Sequence, residues 1–511
     1  MTVSVRHRRP VRVRRRRRVV DVLGTIGLVG SILRWVSLTL LAPAAVAVYY
    51  GESVRPYLIS LAIAFAAGYL LERLTPSADE VGIREGFLLV TVAWLAAAAM
   101  GALPYLLSAN PQLHHPVDAY FESMSGFTTT GASVLTDIEA LPKSLLFWRS
   151  LTQWLGGMGI VVLAMAILPR LSVGGQQLMD VESPGPEAEK LTPRIAETAR
   201  RLWILYVALS IAEVTALCAV GYGGLAHGMN LFEATTHTFG TMSTGGFSSR
   251  ARSVEEFGAE AQWIITAFML IASLNFALMF RSLRRPALLP RDEETRFFLL
   301  LVIVASTIVA LEIGSYGRYG VGDAIRHAAF QVASIVSTTG FASTDFALWT
   351  PLPLLILIVL MFAGGCSGST AGAIKAMRVL LLNKVLRREL VLTVHPQAVV
   401  PIRLNGRVVN DRTLRAIVGF VLIYVVAFVI GTVLILIDAS RGTHPVGAFE
   451  AISAAATTLG NVGPGVGFLG PMGSFDPFST PSKLVMIALM WIGRLEVIPV
   501  MIVLSRTYWR P

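Results

Sequence analysis

The sequence predicts an all-α polytopic membrane protein, with ten transmembrane helices and four short re-entrant helices. Three observations lead to this fold class. Of the 511 residues, 54% are hydrophobic and only 15% are charged. Apolar runs of about 20 residues, long enough to cross a bilayer, recur along the chain. Four shorter apolar segments lie between these runs, and each ends in a polar turn that contains glycine.

The first 19 residues form a basic arm. Arginines fill most of positions 6–18, directly before the first apolar run, and contribute strongly to the net charge of +11. The positive-inside rule places this arm in the cytoplasm, against solvent or membrane lipid. The apolar run that follows continues to about Tyr50 without a small-residue cleavage site, which argues against a removed signal peptide. A basic run in this position predicts no nucleic-acid partner.

Ten stretches are predicted to span the membrane. Their approximate limits are 21–49, 56–74, 85–108, 146–170, 197–222, 261–283, 296–316, 351–383, 411–438 and 482–505. Ten crossings leave both termini on one side, and the basic loops 281–296 and 384–415 then share the cytoplasmic side with them. The loop 248–262 is an exception, because it carries Arg250 and Arg252 on the opposite side.

The four short segments cover 121–131, 232–245, 330–340 and 449–463. Each lies between two predicted spans, starting with the third and fourth. The chain therefore divides into the basic arm (1–19), two leading helices (20–80) and four repeats of helix, short helix, turn and helix. We place the repeats at 81–175, 190–285, 292–390 and 408–508.

The repeated turns predict a cation filter. Irregular backbone at membrane depth is tolerated only where it lines a water-filled path or is buried in protein. Glycine permits positive φ angles and close approach of the backbone, and rings of carbonyl oxygens can replace the hydration shell of a monovalent cation. The alternative is that these are only tight turns between short helices. The candidate filter residues are Thr129, Thr130, Gly131, Ser243, Thr244, Gly245, Thr338, Thr339, Gly340, Asn461, Val462 and Gly463.

The fourth turn has two possible glycines, Gly460 and Gly463, and we choose Gly463 because a rigid proline follows it. Each short helix is expected to point its C-terminal carbonyls at the centre, which favours a cation by a few tenths to about 1 kcal/mol per helix. Three short helices are predicted to open with Phe-Glu, at Glu122, Glu233 and Glu450, whereas the third has Gln331. These acids complement the helix dipoles or attract cations at the outer mouth.

The eighth predicted span is interrupted at 363–375, where four glycines occur within ten residues. Glycine costs about 1 kcal/mol relative to alanine in a helix, so we predict an irregular intramembrane loop below the filter. A glycine-packed helix crossing is the alternative, and the segment does not match a phosphate-binding loop. The candidate gate residues of this loop are Gly364, Gly365, Ser367, Gly368, Ser369, Thr370, Gly372 and Lys375.

Arg494 falls near the middle of the last predicted span, roughly 18 Å from either interface. An arginine at this depth is a functional candidate by default. If it faced the pathway, it would repel a monovalent cation about 6 Å away by roughly 3 kcal/mol at an effective dielectric constant of 20. The alternative is a salt bridge to Glu496 or another buried acid. Lys375 either adds to the barrier or anchors the chain at the inner interface.

Six motifs, in order along residues 20–508, resemble the Trk/Ktr superfamily of potassium transporters, and specifically the bacterial Trk transmembrane subunit. They are SGFTTTG (125–131), STGGFS (243–248), STTGF (337–341), GGCSGSTAG (364–372, with Lys375), LGNVGPG (459–465) and IGRLE (492–496).

The resemblance implies K⁺ uptake across the bacterial cytoplasmic membrane through a pseudo-fourfold, K⁺-channel-like pore, with the loop 363–375 moving aside on activation. It also implies a homodimer and a cytoplasmic nucleotide-binding regulatory subunit of the RCK/KTN type. K⁺ is then the transported ion. The chain has no Gly-x-Gly-x-x-Gly that follows a predicted strand, so a nucleotide-binding domain of its own is not expected, and no organic cofactor is expected.

Two other functional classes remain open from the residues alone. A secondary transporter for another cation or solute, coupled to Na⁺ or H⁺, usually has paired broken spans and a midplane acid. A membrane-embedded enzyme would need a cluster of ionisable side chains at membrane depth. His237 is the one histidine that we place there, and a structural role suits it better, so we do not expect an enzyme.

Overall fold

The computed structural model describes residues 20–75, 82–166, 191–439 and 446–510, and this part of the chain is mostly helical. The basic arm 1–19 lies outside the described residues. The same holds for the end of the fourth predicted span, after Ala166, and for the connection to the second repeat.

The helices are labelled in chain order. They are α1 (Val22–Ser37), α2 (Leu41–Tyr50), α3 (Arg55–Leu74), α4 (Ile83–Leu107), α5 (Pro116–Phe127), α6 (Lys143–Ala166), α7 (Leu191–Tyr222), α8 (Leu231–Met242), α9 (Ala259–Ala272), α10 (Phe276–Ser282), α11 (Leu288–Arg291), α12 (Glu293–Ser315), α13 (Val321–Val336), α14 (Pro351–Leu360), α15 (Ala376–Val394), α16 (Asp411–Ala439), α17 (Ala448–Gly460), α18 (Thr480–Arg494) and α19 (Ile498–Leu504). Short 3₁₀ turns occupy Leu38–Leu40, Pro111–Leu113, Phe346–Leu348 and Gly467–Leu469.

Two pairs of two-residue strands complete the described secondary structure. Strand β1 (Ala363–Gly364) pairs in parallel with β2 (Ile374–Lys375). Strand β3 (Arg403–Leu404) and β4 (Arg407–Val408) form an antiparallel hairpin between α15 and α16.

The leading helices α1 and α3 cross at two facing glycines. A Cβ atom added to Gly30 would lie 2.7 Å from the carbonyl oxygen of Gly68, and one added to Gly68 would lie 2.6 Å from that of Gly30. Small residues at such a crossing allow helix backbones to approach closely, which is typical of packing in membranes. An ion pair between Arg34 and Glu72, at 2.9 Å, joins the same two helices.

Six of the described helical stretches are long and apolar enough to cross a membrane, and two further helix pairs pass the same test only when each pair is taken together. Many apolar side chains on their outer surfaces are exposed, including Leu422, Val426 and Ile430 of α16. Such a surface is suited to lipid. The total of ten spans remains a prediction.

Two predicted spans are broken, contrary to the expectation of continuous helices. The span 261–283 bends by 101° between α9 and α10, and the span 482–505 bends by 114° between α18 and α19. At the second break Glu496 and Val497 have φ angles of 56° and 60°, so the right-handed helix cannot continue through them. At the first break, the Asn275 side chain accepts a hydrogen bond from Leu278 N and so starts α10.

The short helices α5, α8, α13 and α17 occupy the four places where short segments were expected, and most of their residues are buried. Each packs against a longer helix of its own repeat. Three of them also contact the helix that follows the turn of the preceding repeat, in a circular order: α8 contacts α6, α13 contacts α9, and α5 contacts α18. The repeats are therefore arranged in a circle, with the short helices inside.

A candidate ion pathway where four turns meet

Each short helix ends in the same turn. The residue one or two positions after the helix adopts the left-handed conformation, although it is not glycine: φ is 52° at Thr129, 55° at Thr244, 59° at Thr338 and 53° at Asn461. Such residues are uncommon outside glycine, and they cluster at functional sites.

The backbone hydrogen bonds of these turns are also equivalent. In every copy the residue after the left-handed one donates its N–H to the carbonyl five residues earlier. The bonds are Thr130 N to Ser125 O (2.8 Å), Gly245 N to Gly240 O (2.8 Å), Thr339 N to Ser334 O (2.8 Å) and Val462 N to Thr457 O (2.9 Å).

The glycine with positive φ comes two residues after each left-handed residue. These glycines are Gly131 (80°), Gly246 (76°), Gly340 (84°) and Gly463 (106°). The predicted register of the second turn is therefore wrong by one residue. Gly245 corresponds to Thr130, Thr339 and Val462, because α8 ends at Met242 and Thr244 takes the left-handed position. In the fourth turn Gly463 holds the equivalent position, whereas Gly460 is the last residue of α17.

The four turns touch one another in chain order and close a ring. A Cβ atom added to any of the four positive-φ glycines would collide with a backbone oxygen of the adjacent turn. On Gly131 the added atom would lie 2.2 Å from Gly245 O, and on Gly246 it would lie 1.9 Å from Thr339 O. On Gly340 it would lie 2.1 Å from Val462 O, and on Gly463 it would lie 2.8 Å from Thr130 O. Because each glycine has no side chain, the backbone of the adjacent turn packs directly against it, and the fourth turn contacts the first.

Side chains from neighbouring helices brace the ring. Gln153 of α6 donates from Nε2 to Gly245 O (2.6 Å) and accepts at Oε1 from Phe247 N (3.0 Å). Asn461 donates from Nδ2 to Thr130 Oγ1 and to Met490 O, both at 2.9 Å. Gln153 was not among the predicted site residues, because its only signal in the sequence is that it is a lone amide side chain within an apolar span.

An open cavity lies on one side of the ring and is lined by all four positive-φ glycines. Arg149 also lines it, and this buried side chain donates from Nε to Glu122 Oε1 (2.8 Å) and from Nη1 to Ser248 O (3.1 Å). Its guanidinium lies 4.1 Å from the ring centre of Phe247. Since Glu122 belongs to α5 and Phe247 and Ser248 follow the second turn, the Arg149 side chain ties the first two turns together.

The expected acids do not occupy equivalent positions. Glu233 and Glu450 lie in the first turn of α8 and α17, as expected for helix openings. Glu122 lies in the second half of α5, and Gln331 lies in the second half of α13, so neither opens its helix. The shared Phe-Glu pair therefore does not mark equivalent positions: Glu122 lies about one helical turn further along its helix than Glu233 and Glu450 do along theirs.

His237 has partners for both ring nitrogens. Nδ1 lies 2.8 Å from Glu233 O and Nε2 lies 2.9 Å from Ser248 Oγ. It is fully buried and belongs to the support of the second turn.

The predicted loop 363–375 is irregular, and no helix runs through it. Its ends are held together by the parallel pairing of Ala363 with Ile374 and of Gly364 with Lys375. Other loop residues contact the break between α9 and α10: Cys366 N donates to Ser273 O (2.8 Å), and Gly368 O accepts from Phe276 N (3.2 Å).

Two further predicted gate residues lie within this part of the loop. A Cβ atom on Gly365 would lie 2.9 Å from Ser273 O. Ser369 Oγ donates to Cys366 O within the loop (2.6 Å).

The tip of the loop contacts the C-terminal ends of three short helices. Thr370 Oγ1 donates to Met242 O at 3.1 Å. Gly372 N donates to Thr338 Oγ1 (2.7 Å), and Ala373 N donates to Gly460 O (3.0 Å). The loop therefore lies across the ring on the side of the helix C-termini.

Arg494 is the last residue of α18, immediately before the bend, rather than the middle of a continuous helix. It is 2% exposed, and its guanidinium donates to Thr370 O (2.9 Å) and to Gly156 O (3.1 Å). Among the described residues it has no carboxylate partner within salt-bridge distance. Glu496 instead pairs with Arg378, so the alternative of an Arg494–Glu496 salt bridge is wrong. Lys375 is also buried and donates to Ala371 O.

A multi-pass helical protein with a closed ring of irregular backbone at its centre belongs, by its architecture, to the membrane transport proteins. The TrkH family model, described as a cation transport protein, matches residues 56–509. The chain therefore belongs to the TrkH family, which confirms the resemblance found in the sequence.

Relatives of known name and structure agree with this assignment. The chain is 39% identical, over 95% of its length and 99% of the relative's, to the Trk system potassium uptake protein TrkH of Vibrio parahaemolyticus. It is 38% identical to the protein of the same name from Escherichia coli, over 94% of this chain and 98% of that one. The crystal structure of the potassium transporter TrkH from Vibrio parahaemolyticus superposes with a TM-score of 0.86 at 36% identity, covering 96% of this chain and 99% of that chain.

Proposed function

We propose that this chain takes up K⁺ across the bacterial cytoplasmic membrane through a selective pore at the ring of four turns. The single observation that carries the proposal is the closure of the ring, in which four equivalent turns touch in order. The names of the relatives support K⁺ as the ion, since they are potassium uptake proteins.

The proposed filter consists of the backbone carbonyls of the four turns. In a ring of this kind the carbonyl dipoles replace the water around a dehydrated alkali ion, and the C-terminal ends of four short helices add a favourable field. The filter retains the residues expected from the sequence and adds Gly246. They are Thr129, Thr130, Gly131, Ser243, Thr244, Gly245, Gly246, Thr338, Thr339, Gly340, Asn461, Val462 and Gly463.

The proposed gate is the loop 363–375 together with Arg494. The loop contacts three helix ends across the ring, and the Arg494 guanidinium donates a hydrogen bond to Thr370 O in the loop. Lys375 and Arg378 are also buried. Among the described residues, this side of the ring therefore has three buried basic side chains, those of Arg494, Lys375 and Arg378, and Arg378 is paired with Glu496. Opening requires the loop to leave the ring and the guanidinium of Arg494 to move from the ion path.

The proposed assembly is a homodimer with a cytoplasmic nucleotide-binding subunit of the RCK/KTN type. Both termini lie in the cytoplasm in this proposal, and the regulatory subunit docks on the basic loops 281–296 and 384–415. The exposed arginines Arg281, Arg291 and Arg407 support a polar surface there. K⁺ is the transported ion, and the protein is a transporter rather than an enzyme.

The test is ⁸⁶Rb⁺ uptake by proteoliposomes that contain the purified chain and are loaded with KCl. We expect accumulation that unlabelled K⁺ outside suppresses and that an imposed H⁺ or Na⁺ gradient does not alter. Uptake driven only by one of these gradients would instead indicate a coupled secondary transporter. Uptake equal to that of empty vesicles, in the parent chain and in Arg494→Ala alike, would contradict a pore.

A further inference from the structure

Glu294 contacts both the intramembrane loop and the helix that follows it. It lies in the first turn of α12, and its side chain is buried, with the residue 2% exposed. Its Oε1 atom accepts hydrogen bonds from Ser367 N (2.6 Å) and from Met377 N (3.0 Å). One carboxylate oxygen thus joins Ser367, in the first half of the loop 363–375, to the first turn of α15, and these two attachment points form the base of the loop.

The two donors are groups that need an acceptor. Met377 lies in the first turn of α15, where backbone N–H groups have no partner within the helix. The N-cap residue of that helix, Lys375, makes no side-chain capping bond. Ser367 N belongs to irregular backbone, where no helix or strand partner is available. Glu294 therefore caps α15 from another helix and, with the same atom, holds the loop.

The neighbouring acids have other roles. Asp292 caps its own helix by accepting from Thr295 N (2.8 Å), and Glu293 forms an ion pair with Lys384 and accepts from Asn405 N. Of these three consecutive acids, Glu294 is the one that reaches the loop.

The contact between Glu294 and α15 lies beside open space. Glu294 and Met377 border an open cavity, which is also lined by Asn275 at the α9–α10 break and by Asn405 of the β3–β4 hairpin. Ser367 is partly exposed, whereas the tip residues Thr370 and Gly372 are buried against the short helices. The contacts of Glu294 therefore lie at a more open part of the loop than the contacts of the tip.

We propose that Glu294 is a positioning residue that anchors the base of the intramembrane loop and so holds the loop across the ring. This inference rests on the proposed gating function. It predicts that removing the acceptor frees the loop while leaving the four turns unchanged.

The test uses Cys366, a loop residue that is 1% exposed and adjacent to Ser367. In a Cys218→Ser background, we measure its rate of modification by a small methanethiosulfonate reagent, together with ⁸⁶Rb⁺ uptake. Glu294→Leu removes the acceptor at similar volume, and we expect labelling and uptake to rise at least tenfold, because two backbone donors, Ser367 N and Met377 N, lose their partner. Glu294→Gln keeps an acceptor oxygen, so both rates should stay within about twofold of the parent.

Glu293→Gln is the matched control, since it changes the adjacent acid without touching the loop, and it should behave like the parent. If Glu294→Leu does not fold, as judged by gel filtration, Glu294→Asp shortens the side chain by one methylene and should raise both rates to a smaller extent. Unchanged Cys366 labelling in the folded variant would overturn the anchoring role. Increased labelling without increased uptake, in both Glu294→Leu and Arg494→Ala, would support the anchor and contradict the gate instead.

Discussion

The two sides of the ring are built differently. On the cavity side, the same turn occurs in four copies, each with a left-handed residue, a glycine with positive φ and an equivalent backbone hydrogen bond. On the other side, a single loop from the third repeat crosses the helix ends, and the second and fourth repeats contribute broken helices.

The difference lies in how each part is held. The turns are fixed by close backbone contacts, so a small displacement of one would require the others to move. The loop is held by separate hydrogen bonds: those of Thr370, Gly372 and Ala373 at its tip, those of Cys366 and Gly368 with the α9–α10 break, and those of Glu294 and of the β1–β2 pairing at its base. A symmetric part with tight backbone packing suits ion selection, and an asymmetric part held by separate hydrogen bonds suits regulation.

The strongest test of the rigid part is Gly246→Ala. The new Cβ atom would lie 1.9 Å from Thr339 O, and the φ angle of 76° adds about 1–2 kcal/mol of strain. We expect uptake of ⁸⁶Rb⁺ to fall by roughly 100-fold or more, since each 1.4 kcal/mol is about a factor of ten. Gly51→Ala is the control, because φ is 70° there and nothing lies within 4 Å of the added atom. Equal loss in both variants would mean that backbone strain, and not contact between turns, causes the effect.

The movable part is tested next by Arg494→Ala. Removing the buried charge lowers a barrier of up to about 3 kcal/mol, so basal uptake should rise by as much as roughly 100-fold. Arg494→Lys keeps the charge but cannot hold both Thr370 O and Gly156 O in the same way, and we expect a smaller rise. Unchanged uptake in a folded Arg494→Ala protein would remove this residue from the gate.

A smaller effect is expected from Gln153→Leu, which removes the brace of the second turn. Gly245 O and Phe247 N would each lose a buried hydrogen bond, at a cost of about 1–3 kcal/mol for each group left unsatisfied. We expect the preference for Rb⁺ over Na⁺, measured by competition, to fall about tenfold while transport continues. Selectivity equal to that of the parent would show that the second turn keeps its geometry without Gln153.

The ring was predictable from the sequence because repetition is visible there. Four short apolar segments ending in polar, glycine-containing turns recur between apolar runs, and no single copy would have been convincing. The sequence did not show which of the adjacent residues Gly245 and Gly246 is equivalent to the glycines of the other turns, because only the backbone conformation distinguishes them.

The sequence could not reveal the contacts that depend on tertiary structure. The break in the span 482–505 lies in a run that remains largely apolar, and the contacts of Arg494 are backbone carbonyls of Thr370 and Gly156, which carry no sequence signal. Glu122 was placed at a helix start because Phe-Glu also occurs at Glu233, although the two lie at different depths in their helices.

The most direct test of the ring is an anomalous difference map from crystals soaked in RbCl. We predict Rb⁺ density inside the ring formed by Gly131, Gly246, Gly340 and Gly463. K⁺ should compete for this position, and the density should be lost in Gly246→Ala. Rb⁺ bound elsewhere in the membrane region, with none inside the ring, would contradict it.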